Sequence, residues 1–313
     1  MIHMPMDVLY QFPVRKNKEQ KQQFRDAVCD YARRQGYSVT VERGSFGCCN
    51  VVIGDAENAH YLVTAHYDTP AWLPFPNFHM PCNLPVFLFQ QIGLRIAIIL
   101  IAAIIGAVSG VAWGEWAVAP VSVLVFFGII GLMIAGPANQ KNANDNTSGV
   151  VTLLEILRTM PENQRDKVCF ILFDLEECGL IGAASYRKAH RSATDRQIVL
   201  NLDCVGDGDH LLMFPTKALK NNRKKLTSLY KACGYFGKKS LVVHEKGFGI
   251  YPSDQLVYPY GVGICALNKN KRGYYVGKIH TAKDTVLEET NVNILRAALT
   301  TFISCNAVNL ERK

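Results

Sequence analysis

The run Cys169-Phe-Ile-Leu-Phe-Asp174-Leu-Glu176-Glu177-Cys178-Gly179 carries strand-type apolar residues straight into a cluster of carboxylates. Such a run is expected at the centre of a parallel sheet. Acids just past its end sit at the carboxyl edge, where open α/β proteins place their ligands. Two adjacent glutamates there can divide labour, one fixing a metal and its neighbour handling protons; a solvated acidic turn is the plainer reading of this segment alone. Other strand ends and helix starts offer partners. Tyr61-Leu-Val-Thr-Ala65 runs into His66-Tyr-Asp68, where an imidazole can bind a metal while a carboxylate two residues on orients it. Asp145 precedes the helical spacing of Val150, Leu153, Leu154 and Leu157, a position that suits either an anchored carboxylate or a plain helix cap. The strand Gln197–Leu202 ends in Asp203, and the loop from Gly277 to Thr285 carries His280 with Asp284 nearby.

Together these positions offer His66, Asp145, Glu177, Asp203 and His280, with Glu176 left over. Nitrogen and carboxylate donors without thiolates suit Zn²⁺, and less often Co²⁺ or Mn²⁺. Five ligands exceed what one catalytic zinc takes but fit two ions sharing a carboxylate. A pair of metals about 3.5–4 Å apart can activate one water and polarise the substrate oxygen. No Gly-Lys-Ser/Thr loop or Gly-x-Gly-x-x-Gly follows a strand, and no Gly-x-Ser-x-Gly occurs. Phosphate-loop, dinucleotide and serine-hydrolase chemistries are therefore disfavoured.

Ala65-His66-Tyr-Asp68, Asn144-Asp145-Asn146-Thr-Ser-Gly149, Glu176-Glu177-Cys-Gly-Leu-Ile-Gly182, Asn201-Leu-Asp203 and His280-Thr-x-x-Asp284-Thr285 resemble the motifs of the co-catalytic di-zinc aminopeptidases. That group also contains glutaminyl cyclases and the glutamate carboxypeptidase and transferrin-receptor ectodomains. The blocks occur in the family's order and span about residues 15 to 310. The resemblance implies a zinc-exopeptidase-like α/β fold, with a mixed, mostly parallel central sheet flanked by helices. It implies His66 and Asp203 on one zinc, Glu177 and His280 on the other, and Asp145 bridging. Glu176 corresponds to the general base and Asp68 to the acid that orients His66. The implied activity is hydrolysis of the N-terminal bond of peptide substrates, with cyclase-like, glutamate-carboxypeptidase-like and catalytically inactive binding scaffolds as alternatives. Where the family often has Ser-Asp-His, this chain has Ser253-Asp254-Gln255.

The elements that must position these residues are interrupted. From Ala71 to Gln91 the chain is rich in proline and aromatics, and between Arg95 and Lys141 the only charged residue is Glu115. Helices are expected over about 96–113 and 117–136, each near the roughly 20 residues needed to span a bilayer. Trp113 and Trp116 flank the turn where an interfacial aromatic belt would lie. A transmembrane hairpin at 81–136 would thus divide a catalytic domain into 1–80 and 137–313, with membrane lipid contacted through residues 83–136. A hairpin returns the chain to its starting side. Both flanks are rich in Lys and Arg and the turn has neither, so the catalytic domain is expected to face the cytoplasm. The aromatic lead-in Trp72 to Phe89 is expected at the headgroup level, which would hold the cleft near the membrane and favour short or apolar peptides.

Composition agrees: 49% of the 313 residues are apolar and 19% charged, an oily balance for a purely soluble enzyme. The net charge of +8 suits anionic lipid or nucleic acid, and the lack of any RNA-binding or zinc-finger motif argues against nucleic acid. No cleavable signal peptide is visible, and the ten cysteines are scattered, as expected of reduced core thiols, Cys178 and Cys204 included. His60, His79, His190, His210 and His244 read as surface or loop residues, and Tyr251, Tyr274 and Tyr275 as packing residues in loops.

Overall fold

Two largely apolar runs, Tyr61–His66 and Val168–Phe173, are buried along their whole length and lie side by side in parallel. The computed structural model describes residues 1–75 and 77–307; Pro76 and the last residues of the second catalytic segment, 308–313, lie outside the described residues. In chain order, α1 (Asp7–Gln11), α2 (Lys18–Arg34), β1 (Val39–Arg43), β2 (Cys49–Ile53) and β3 (Tyr61–His66) precede the insertion. The insertion holds β4 (Phe78–His79), α3 (Leu84–Trp113) and α4 (Val118–Ala135). Then follow α5 (Gly149–Thr159), β5 (Val168–Phe173), α6 (Ile181–Ala189), α7 (Arg191–Thr194), β6 (Ile198–Leu202), β7 (His210–Pro215), α8 (Lys217–Asn221) and α9 (Arg223–Leu229). The chain closes with β8 (Gly234–Phe236), β9 (Lys239–Val243), β10 (Gly261–Asn270), β11 (Gly273–Gly277) and α10 (Glu289–Ala307).

The sheet order is β1-β2-β5-β3-β6-β10-β7-β9-β8, with β11 pairing β10 and β4 pairing β11. The four central strands β5, β3, β6 and β10 run parallel, and antiparallel pairs flank them. Alternation divides the strands between two layers. Val63, Ala65, Phe170 and Leu172 face a large core shared with α2, α5 and α10. Leu62, Cys169, Ile171 and Phe173 face a smaller one with Ala183, Tyr186 and Tyr258. α2 is set by a capping box in which the Asn17 side chain and Gln20 satisfy each other's backbone N–H.

The first apolar helix differs from the expected 96–113: it begins at Leu84. Asn83 caps it by accepting from Val86 N, and Pro85 sits in its first turn, so the helix starts well before its uncharged part. Thirty residues extend about 45 Å, longer than the roughly 30 Å hydrocarbon layer. α3 and α4 are long and apolar enough to cross a membrane. Their outward residues are bare, with Val111 91% and Leu124 72% exposed. They pack closely on each other at Gly106, where a Cβ would lie 2.0 Å from Ser122 Oγ. Asn291 in the first turn of the last helix is buried and donates to Val205 O and Gly208 O, tying α10 to the loop after β6. Tyr274 and Tyr275 belong to a strand rather than a loop.

Candidate metal centre

Every expected site residue lies at the carboxyl edge of the parallel strands. His66 is the last residue of β3, Asp203 follows β6, and Glu176 and Glu177 follow β5. Asp145 lies in the turn Ala143–Ser148 ahead of α5, and His280 in the turn after β11. The histidines and carboxylates converge in a cavity of about 240 Å³. A larger cavity of about 500 Å³, lined by residues such as Tyr61, Arg196 and Lys224, opens at the opposite edge. No described histidine–carboxylate group that could hold a metal lies there, so volume is not the guide here.

The spacing also fits cations held between the donors. His66 Nε2 is 3.4 Å from Asp145 Oδ1 and 3.7 Å from Asp203 Oδ1. His280 Nε2 is 3.1 Å from Asp145 Oδ2 and 3.6 Å from Glu177 Oε2. Two donors on one tetrahedral zinc, at bond lengths near 2.0–2.1 Å, stand about 3.3 Å apart. His66, Asp145 and Asp203 form one group that could hold an ion, and Asp145, Glu177 and His280 another. The two oxygens of Asp145 point to different groups. Glu176 also lies within 4.8 Å of His66 and Glu177.

Charge gives a second test. Burial pushes the Glu176 carboxyl well above its usual range, and the charges of Glu177, Asp254 and Asp203 add to the rise against the pull of His66. Burial likewise raises Glu177, helped by Asp145 and Asp68. Asp145 is lowered: burial opposes this, but hydrogen bonds from His280 and His66 outweigh it. So many carboxylates around two imidazoles cannot all ionise without added positive charge, which divalent cations supply.

Backbone and neighbouring side chains hold the donors. Asp68 Oδ1 lies 3.5 Å from His66 Nδ1 and accepts Glu176 N at 3.0 Å, while Oδ2 accepts Glu177 N at 3.3 Å. Asn144 N and Asp145 N donate to the two oxygens of Asp284 at 2.8 and 3.0 Å. Burial and then the charge of Asp145 push the Asp284 carboxyl up to about 8. Asn146 Nδ2 donates to Leu202 O at 2.9 Å, and Asn144 Oδ1 accepts Gly206 N at 2.7 Å, clipping the Asp145 turn to the Asp203 loop. Leu175, Cys204 and His280 have left-handed φ of 56°, 54° and 59°. Such strain gathers at functional sites.

Several residues near the centre escaped the sequence. Arg15 is fully buried, donating from Nε to Tyr67 O at 2.6 Å and from Nη1 to Thr147 Oγ1 at 3.1 Å. Burial lowers its guanidinium to about 10, while Asp68 and Asp145 pull it up. Asp254 is buried with neither oxygen hydrogen-bonded, and burial pushes it up to about 8. Gln255 is 1% exposed and bonds Asn201 Nδ2 and Tyr251 O rather than reaching the cavity. His79 is no surface histidine: it lines the cavity with Asn77 and Gln91, and burial holds its imidazole below the ordinary value. Cys204 is buried beside the cavity, whereas Cys178 is exposed rather than a core thiol, because the loop after β5 turns outward there.

The fold is similar to a Porphyromonas gingivalis glutaminyl cyclase, at 14% identity and a TM-score of 0.59 over 95% of this chain and 94% of that one. It is also similar to the Legionella pneumophila LapA aminopeptidase, at 13% identity and a TM-score of 0.56 over 96% and 70%. A Tannerella forsythia glutaminyl cyclase matches at 16% identity and a TM-score of 0.56 over 94% and 93%. Comparison with curated protein sequences returns no match. Residues 128–303, more than half of the chain, match Peptidase family M28, and with the histidines and carboxylates gathered at the sheet's carboxyl edge the protein belongs to that family.

Proposed function

We propose that the chain is a membrane-anchored zinc aminopeptidase whose catalytic domain faces the cytoplasm. The carrying observation is Asp145, one carboxylate shared by two groups that could each hold an ion. His66, Asp145 and Asp203 would hold one ion, and Asp145, Glu177 and His280 the other. Two bound Zn²⁺, or Co²⁺ or Mn²⁺, supply Lewis acidity that activates a water and polarises the scissile carbonyl. Glu176, beside both groups but ligand to neither in this reading, takes a proton from the attacking water and delivers it to the departing amine nitrogen. Asp68 fixes the His66 ring and both glutamate amides. A full set of donors and a base favours an enzyme over an inactive scaffold. Among the described residues the cavity lining has no Lys or Arg to receive a substrate carboxylate, which disfavours glutamate-carboxypeptidase-like release.

Glu176→Gln should leave about two metal ions per chain by elemental analysis and lower turnover by roughly 10²–10⁴. Asp145→Ala should lose metal. Turnover in Glu176→Gln equal to wild type would refute the mechanism. A content fixed at one ion under metal-replete conditions would favour the glutaminyl-cyclase-like alternative, which an assay of amino-acid amides against glutaminyl peptides tests directly.

A further inference from the structure

Asn77, His79 and Gln91 line the cavity of the histidine–carboxylate cluster, and all three come from the segment inserted between His66 and Asp145. They are held in place. Val276 pairs with His79 and Gly277 with Phe78 across β11 and β4. Lys278 N donates to Asn77 O at 3.1 Å, and Gln90 Nε2 to Phe78 O at 3.0 Å. The His79 ring meets Phe87 edge-on at 5.2 Å and Tyr251 at 6.2 Å. Its Nε2 is buried without a hydrogen-bond partner, a polar atom left over on a residue of the cavity wall.

Around this wall the remaining lining outside the cluster, Tyr251, Pro252, Val276, Ile279 and Cys204, carries no charge. Gln91 also stands five residues before Ile96, where the uncharged run begins. At 1.5 Å per residue this is about 7–8 Å along the helix axis. A side chain that lines the cavity and the start of the apolar span are therefore on the same two turns of helix.

We propose that the inserted segment is a substrate-binding wall as well as an anchor: His79 Nε2, Asn77 and Gln91 hydrogen-bond the backbone amides of the bound peptide, and the pocket selects short uncharged peptides at the membrane surface. This deepens the aminopeptidase reading and rests on it. The test uses the full metal-loaded chain in detergent or lipid discs, with Ala-Ala-Ala and Ala-Asp-Ala as peptides. His79→Ala should raise KM for Ala-Ala-Ala about three- to tenfold, the worth of one hydrogen bond, with kcat and metal content little changed. His79→Gln, whose amide reaches the place of Nε2, should recover most of that loss, and Gln91→Ala should raise KM by a similar factor. Wild type should prefer Ala-Ala-Ala over Ala-Asp-Ala. KM within twofold of wild type in both alanine variants overturns the proposal. So does a fall in kcat with metal loss that His79→Gln does not rescue, which would make His79 only a structural prop. If wild type releases no N-terminal residue, the aminopeptidase reading fails. The wall is then judged by equilibrium binding of Ala-Ala-Ala to the metal-loaded protein, where weaker binding by His79→Ala supports it and equal or absent binding refutes it.

Discussion

Replacing Asp68 by Asn probes how the metal donors are held. The side chain is 2% exposed and meets three partners at once: His66 Nδ1, Glu176 N and Glu177 N. Asparagine has nearly the same shape, but one oxygen becomes an NH₂. Whichever way the amide turns, at least one N–H group of the loop or ring loses its acceptor and faces a donor instead. A hydrogen bond to a charged acceptor contributes about 1.5–3 kcal/mol. Loosening the partner of a metal-binding histidine typically lowers metal affinity about 10- to 100-fold, the same size of effect. Competition against a zinc chelator should therefore show the affinity falling by that factor, with turnover partly restored at saturating Zn²⁺. The metal-free protein should lose stability as well: burial works against the Asp68 charge, but the His66 contact, Lys21 and the Glu176 N–H outweigh it and hold the carboxyl below its ordinary value, so folding favours the charged form. Zinc affinity within twofold of wild type, or unchanged stability of the metal-free protein, would refute the reasoning.

Replacing residues 95–133 with a Gly/Ser linker should yield a soluble protein that keeps Gln91 and its metals. If its ratio of apolar to polar peptide cleavage equals that of the membrane-bound enzyme, the hairpin only anchors. The His190 imidazole is raised, because its bonds to Glu57 and Glu42 outweigh the lowering by burial. Its contribution to stability is then full below the unfolded value near 6.5 and is lost as pH rises through the higher folded value. The melting-temperature gap between wild type and His190→Ala should accordingly shrink from pH 6 to pH 9, and a constant or widening gap would contradict it.

The donors at strand ends were legible because a buried parallel strand leaves a plain apolar signature and its next polar residue must lie at the carboxyl edge. That logic places His66, Asp203 and the Glu176–Glu177 pair without any partner strand being known. It fails where one side chain's task depends on distant chain. Arg15 sits in a polar N-terminal stretch and gives no local hint that it will be buried beside Asp68 and Asp145. His79 lies in an aromatic lead-in whose composition suits the headgroup layer. Trp72 and Phe89 there are 44% and 77% exposed, whereas the strand pair with Val276 turns the histidine inward. The early start of α3 had a readable signal in Asn83-Leu-Pro85, masked by the stronger apolar run that follows. β11 was hidden by its flanking glycines.

The insertion's two ends bear on the site more directly than the hairpin's length would suggest. Leu73 N donates to His280 O at 2.8 Å, so the outgoing strand is bonded to the backbone of a histidine of the cluster. The returning strand is bonded to the outgoing one through Trp72 N to Pro137 O and Asn139 N to Pro70 O. Asn139 Nδ2 then donates to Thr281 O at 3.0 Å, beside the same histidine. On the far side, Lys16 Nζ caps the carboxyl end of α4 at Ile134 O, 2.8 Å away. In the membrane-anchored arrangement proposed above, the cleft could not swing relative to α3 and α4 without breaking these contacts to the His280 loop. Displacement of the hairpin, by lipid or by a bound peptide, would act first on His280 and through it on Asp145 and Glu177. The base of the hairpin and the candidate metal donors are thus tied together by direct hydrogen bonds.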